Sequence, residues 1–270
     1  MPYARPVAFE ELKQRQAAMW GSAPFERIAV TLADMHEAIV EVTAPAAGER
    51  LLDVGCGTGE LAFRASHTGA EVTGADIAPE LVETARRQAS ERGLSITFDV
   101  ADVENLPYGA ASFDIVTSTV GAIFAPDHRR VAGELARVCK PGGRLALTAW
   151  TADGEVDEFF RIIGSYAPPP AEGAGNPMSW GDTGYATEML GETFDLRFEH
   201  RNTPWRMESP EAAWNEMAEA FGPIATLLRN LPPERAESFR RELIGYFETT
   251  DGGSGFVLDR RYVVISGTRL

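Results

Sequence analysis

Eleven residues constrain this chain more than any others: Leu51-Leu52-Asp53-Val54-Gly55-Cys56-Gly57-Thr58-Gly59-Glu60-Leu61. A short strand-like run enters a glycine-rich bend and leaves as a helix. Gly55, Gly57 and Gly59 permit backbone conformations closed to other residues and leave no side chain between backbone and ligand. The helix that follows presents free N–H groups at its start. Such a turn suits an anionic or strongly polar group. A dinucleotide fingerprint would place its third glycine where this chain has Glu60, so the spacing here is Gly-x-Gly-x-Gly.

The pattern on either side is that of an α/β chain. Strand-like runs at 51–54, 71–75, 96–100, 115–118 and 144–149 alternate with helical patterns at 60–66, 79–92 and 127–139, which predicts a parallel sheet of βαβ units. Gly93 ends the second of these helices, and a tight Pro141-Gly142-Gly143 turn ends the third. Two helices are expected before the first strand, one from Phe9 to Trp20 and one after Pro24. A helix at 155–166 follows the fifth strand, then a Pro/Gly-rich loop from Pro168 to about Gly184. Beyond it come a strand from Leu196 to Met207, two helices between Pro210 and Glu248, a flexible turn at Gly252-Gly253-Ser254-Gly255, and a closing strand, Arg261 to Thr268, at the sheet edge.

We divide the chain into N-terminal cover helices (1–47), a ligand-binding core (48–151), an acceptor-side loop, sixth strand and helical lid (152–258) and the closing strand (259–270), all within one domain. The formal charge of −15 would repel phosphate backbones and anionic lipid, so nucleic acid and membranes are not expected partners. Cys56 and Cys139 are too few for a disulfide framework and lack metal-ligand spacing, so no metal is expected. Two separated thiols also could not hold arsenic, which needs several thiolates, so arsenite is excluded as a substrate. With no apolar leader or bilayer-length run, the expected location is the cytoplasm.

The turn with its strand-end Asp53 resembles motif I of the class I S-adenosylmethionine-dependent methyltransferases. The later segments Ser112-Phe113-Asp114-Ile115-Val116 and Arg137 to Leu145 also look like motifs of that family, so the resemblance spans Leu51 to about Ala149. The stretch from Asp102 to Phe113 is most similar to ubiquinone and menaquinone biosynthesis enzymes, but the chain departs from them after Ser118. The resemblance implies a Rossmann-like sheet of seven strands, order 3-2-1-4-5-7-6, with the last strand antiparallel, helices on both faces and a helical cap. It also implies S-adenosylmethionine as cofactor and S-adenosylhomocysteine as product.

Asp76 and Asp102 stand at the ends of the second and third strand candidates, where the family places cofactor ligands. Asp76 could grip the two ribose hydroxyls. Asp102 could accept the adenine amine while the N–H of Val103 or Glu104 reaches the ring. Singly, each acid could be no more than a helix cap. The full cofactor set implied by the resemblance is Trp20, Asp53, Gly55, Cys56, Gly57, Thr58, Gly59, Asp76, Ile77, Asp102, Val103, Glu104 and Thr119.

Methyl transfer is an in-line displacement that chiefly demands positioning. A general base could assist, and His128 is the candidate, its plain alternative being a first-turn helix residue after an Asp127 cap. His36, Phe124, Trp180 and Tyr185 are candidates for the acceptor pocket, with core packing as the alternative for the aromatics. The Pro168 to Gly184 loop and the helices from Pro210 are the expected lid. The acceptor is expected to be a small organic molecule. A nicotinamide-dependent oxidoreductase and a non-catalytic cofactor-binding protein are the rival readings, and monomer and homodimer are equally open.

Overall fold

A computed structural model describes residues 7–250 and 255–270. The central strands are β1 (Arg50–Val54), β2 (Glu71–Asp76), β3 (Thr97–Val100), β4 (Phe113–Thr119) and β5 (Cys139–Trp150), all parallel. Two more complete the sheet, β6 (Phe194–Asn202) and β9 (Arg261–Arg269). The order is β3-β2-β1-β4-β5-β9-β6, which is the sheet order the resemblance implied. The closing strand is therefore not at the edge. It inserts antiparallel between β5 and β6, and β6 forms the edge. In β1, Leu51, Leu52, Asp53 and Val54 are all buried, as a central strand covered on both faces requires.

The flanking helices are α1 (Val7–Trp20), α2 (Glu26–Ala29), α3 (Ala33–Thr43), α4 (Glu60–Ser66), α5 (Pro79–Glu91), α6 (His128–Val138), α7 (Glu155–Tyr166), α8 (Thr183–Leu190), α9 (Pro210–Ala220), α10 (Gly222–Asn230) and α11 (Pro233–Thr250). The first βαβ units carry an apolar cluster that includes Leu51, Phe63, Val82 and Phe98. The cap has a core of its own, in which Phe159, Trp205, Trp214, Phe239 and Phe247 pack together. A short antiparallel pair, β7 (Trp205–Met207) with β8 (Phe256–Leu258), ties this cap to the chain's return.

Several sequence expectations change for local physical reasons. The single strand expected from 196 to 207 breaks at Thr203-Pro204, because proline offers no N–H to a ladder, and its second half pairs with β8. The helix series 213–228 breaks at Phe221-Gly222-Pro223 into α9 and α10. A Cβ on Gly222 would lie 2.2 Å from the Met19 carbonyl, so only glycine lets the start of α10 meet the end of α1. The second N-terminal helix is interrupted by a 3-10 turn at Val30–Leu32. The long Pro/Gly loop holds another such turn, Pro177–Gly181, and runs into α8. Pro141-Gly142-Gly143 is a bulge within β5 rather than a turn before it: pairing with β4 jumps from Phe113–Cys139 to Ile115–Arg144. Residues 252–254 of the expected flexible turn, and the first six of the chain, lie outside the described residues.

Candidate cofactor and acceptor cavity

At the carboxyl ends of β1, β2 and β4 the chain encloses a cavity of about 170 Å³, bounded on one side by the glycine turn and on the other by α1, α2 and the cap. The turn is held by its own backbone and one side chain. Cys56 N–H donates to the Ala75 carbonyl (3.1 Å), and Gly59 N–H to the Cys56 carbonyl (3.0 Å). Asp76 accepts from the Gly57 N–H through Oδ2 and from the Ala78 N–H through Oδ1, each at 2.9 Å. Burial raises its pKa, although these backbone donors oppose the shift. Asp76 is thus a brace between the turn and the start of α5, and each oxygen keeps a lone pair for a further donor.

The glycines of the motif do different work. Gly57 has φ +53°, and a Cβ there would meet Phe25 at 3.5 Å, an ordinary contact on the cavity side. A Cβ on Gly55 would stand 2.7 Å from Gly121 Cα, backbone against backbone. Gly59 does not line the cavity; the space it leaves is filled by Phe63 and Phe98. Ser118 clamps the exit of β4 against β1, donating to the Val54 carbonyl (2.6 Å) while accepting from the Ala122 N–H (2.9 Å).

Asp53 is buried and has one hydroxyl neighbour, Thr117 Oγ1 at 3.2 Å. Burial, partly offset by that hydroxyl and reinforced by nearby Asp76, pushes its pKa up to about 8. Asp102 is not a free carboxylate. Its Oδ2 meets Lys13 Nζ of α1 at 2.6 Å, and its Oδ1 accepts from the Glu104 N–H at 2.9 Å. Lys13, itself buried, also reaches Glu104 Oε2 at 3.3 Å, and Glu104 Oε1 accepts from the Asp127 N–H. Glu104 therefore lies behind the cavity wall, as an anchor for Lys13 and the entrance to α6.

Lys13 went unnoticed in the sequence, though a signal was present. The chain has only two lysines, Lys13 and Lys140, against twenty-three arginines. A compact ammonium with three donors suits a pocket between two carboxylates. Trp20, at the end of the same helix, packs against Phe25, Phe124 and Phe221 with ring centroids 5.8, 5.1 and 5.6 Å away. Gln16 donates to the Phe124 carbonyl. Helix α1 is thereby fastened across the cavity at three points along its length.

Among the expected site residues, Trp20, Asp53, Gly55, Cys56, Gly57, Thr58, Asp76, Ile77, Asp102, Val103 and Thr119 line the cavity, with His36 and Phe124. His128, Trp180 and Tyr185 do not. His128 is buried between them: Nδ1 sits 2.7 Å from the Tyr185 hydroxyl, Nε2 3.2 Å from the Ile123 carbonyl, and the Trp180 ring 5.3 Å away. The carbonyl requires a proton on Nε2, so Nδ1 accepts from Tyr185, and neither nitrogen is left for an acceptor molecule. The expected base is instead part of the packing of α6 against α8, with Asp127 capping α6 as its plain alternative held. The 168–184 loop packs there too and does not line the cavity. The cap reaches it through Met217, Phe221 and Leu258.

Five buried polar side-chain atoms have no hydrogen-bond partner among the described residues, and three of them, His36 Nδ1, Thr58 Oγ1 and Thr119 Oγ1, belong to residues of this cavity. An unpaired buried polar atom is costly, so their convergence marks a place where a polar ligand completes the set.

Comparison with known proteins agrees with this geometry. A profile described as a methyltransferase domain matches residues 52–147. An uncharacterized protein of Mycobacterium tuberculosis is 33% identical over 216 residues, 79% of each chain. The aklanonic acid methyltransferase DauC of a Streptomyces species is 38% identical over 139 residues, covering 50% of this chain and 63% of that one. The crystal structure of YcgJ from Bacillus subtilis superposes with a TM-score of 0.62 at 22% identity, over 86% of this chain and 97% of its own. The chain belongs to the S-adenosylmethionine-dependent methyltransferases.

Membership in that family removes the nicotinamide reading, in keeping with the glycine spacing. The cavity of this methyltransferase also fits the cofactor chemically. It combines a bare glycine turn, an acid with spare lone pairs at the end of β2, and unsatisfied hydroxyl and imidazole atoms at the end where an amino-acid group would lie. Among the described residues no helix is long and apolar enough to cross a membrane, and no three metal-ligating side chains gather.

Proposed function

We propose that this methyltransferase delivers the methyl group of S-adenosylmethionine to a small, largely apolar organic acceptor held in the same cavity. One observation carries the reading: the cavity lining combines two kinds of surface. Polar groups, Asp76, Thr58, Thr119 and His36, line it with the glycine turn. The apolar side chains Trp150, Val156, Phe159, Phe160, Met217 and Leu258, from β5, α7, α9 and β8, also line it. In this reading Asp76 accepts from the ribose hydroxyls, and Asp102 with Val103 borders the adenine. The turn backbone, Thr58, Thr119 and His36 face the amino-acid end, while Trp20 and Phe124 shut the cavity from above.

When bound, the cofactor supplies an electrophilic methyl carbon on a sulfonium sulfur. The chain's part is to hold the acceptor atom in line behind that carbon and to exclude water. Proton removal by histidine is a poor fit. Burial, with Arg64 nearby, holds His36 down at about 3, so it stays neutral and serves as a hydrogen-bonding group rather than a base. DauC is named for an organic acceptor, aklanonic acid, and an aromatic acceptor would fit a lining so rich in phenylalanine.

The test is thermal. S-adenosylhomocysteine should raise the melting midpoint of the wild type, and Asp76→Ala should largely abolish the rise, since binding to the folded state alone stabilises it. Equal shifts in both proteins would rule out this assignment of the cavity.

A further inference from the structure

Among the described residues two cations line the cavity, Lys13 and Arg260, and they are held in opposite ways. Lys13 is neutralised by Asp102 and Glu104. Arg260, just before β9, is 5% exposed and has no carboxylate within 4.0 Å among the described residues. Its guanidinium is held by neutral oxygens: Nε donates to the Thr203 carbonyl (2.9 Å), Nη1 to Thr31 Oγ1 (2.9 Å) and Nη2 to the Thr31 carbonyl (2.5 Å). Three of the five donors a guanidinium carries are taken. Among the described residues, one N–H on each terminal nitrogen is left over.

The nearest influential acid is Asp34, which is exposed and engaged by the Thr203 hydroxyl at 3.2 Å. Burial consequently weakens the cation, pulling its pKa down to about 10. A buried charge with no counter-charge is an expensive arrangement, and it becomes favourable when a partner of opposite sign enters. The position matters as well. Arg260 follows Leu258, a member of the apolar lining, and is fixed to the turn between α2 and α3.

We propose that Arg260 receives a carboxylate of the methyl acceptor, anchoring the molecule by a group other than the atom that is methylated. The inference rests on the cavity being the methyl-transfer site. The chain's overall charge of −15 repels anions at long range, so an anionic acceptor needs a local cation of this kind. A guanidinium suits the task because it stays charged when buried, and each N–H left over can donate a charge-assisted hydrogen bond to a carboxylate oxygen. The clamp of Thr31 and Thr203 keeps the side chain from collapsing onto Asp34, which leaves its charge available to the cavity. The acceptor class is therefore an apolar, ring-bearing carboxylic acid.

The experiment uses the full-length protein saturated with S-adenosylhomocysteine, titrated calorimetrically with aromatic carboxylates of one to three fused rings and with the methyl ester of each. At least one acid should bind, and tenfold or more tighter than its ester. Arg260→Met should erase that preference, Arg260→Lys should keep part of it, and both should still bind S-adenosylhomocysteine. Thr31→Val serves as the structural control, because it weakens the clamp but keeps the charge: the melting midpoint should fall while the preference for acid survives. Failure of every acid to bind, equal binding of acid and ester, or an undiminished preference in Arg260→Met overturns the proposal. Failure of S-adenosylhomocysteine itself to bind would instead overturn the cofactor assignment.

Discussion

Replacing Lys13 by Met tests whether the N-terminal helix is locked by a buried ion network. The ammonium lies 2.6 Å from Asp102 and 3.3 Å from Glu104, with side-chain exposures of 7%, 24% and 2% for the three residues. Coulomb attraction at 2.6 Å in a medium of effective dielectric near 20 is about 6 kcal/mol, and the cost of dehydrating the three groups cancels much of it. Removing the lysine does not return that cost, because Glu104 stays buried beside Asp102 with no cation. Breaking buried pairs typically costs about 3–5 kcal/mol, and the partial exposure of Asp102 argues for roughly 3. For a chain of this size that is a fall of about 6–10 °C in melting midpoint. The assay is a thermal melt of wild type, Lys13→Met and Lys13→Met/Glu104→Gln, with and without about 0.5 M salt, which screens exposed pairs but not buried ones. The double variant should recover part of the loss, and the gap between wild type and Lys13→Met should persist in salt. A fall below about 2 °C, or a gap that closes in salt, would mean that the pair behaves as an exposed surface bridge worth about 1 kcal/mol or less.

Substituting the first two glycines of the motif should separate folding from binding. Gly57→Ala should fold, with a loss of about 1–2 kcal/mol for its left-handed backbone, but bind S-adenosylhomocysteine at least tenfold more weakly because the new methyl stands on the cavity face. Gly55→Ala should fail to accumulate as folded protein, since its methyl collides with the Gly121 backbone; comparable melting midpoints for the two variants would contradict this. His36 is buried neutral with its pKa lowered from 6.5 to about 3, so the unfolded chain takes up the proton first. The associated stability is present above pH 6.5 and is lost as pH falls toward 3. Between pH 6.5 and 4.5 this amounts to about 2–3 kcal/mol, and in chemical denaturation His36→Gln should show a correspondingly shallower decline; parallel profiles would refute it.

The features legible in the sequence were those written in neighbouring residues. Helices α4 and α7 fall where the apolar spacing puts them, at 60–66 and 155–166, and the core strands differ from expectation by a few residues at their ends. The breaks that were missed, at Pro204 and Pro223, carry a proline that the apolar series alone passes over. His128 misled because its position after β4 is a statement about backbone, whereas its partners, Tyr185 and Trp180, arrive from a segment more than fifty residues away.

Taken alone, the order of residues determined the strand, bend and helix that make the cofactor cradle, because glycine's freedom and the two- and 3.6-residue periods are properties of local backbone. It determined too that Asp53, Asp76 and Asp102 stand at strand ends. Tertiary structure alone decided what those acids and their neighbours touch. Lys13 meets Asp102 across 89 positions, and Arg260 meets Thr31 across 229. Charge pairing, burial and unsatisfied donors depend on which distant segments cross at the cavity, and no local pattern encodes that crossing.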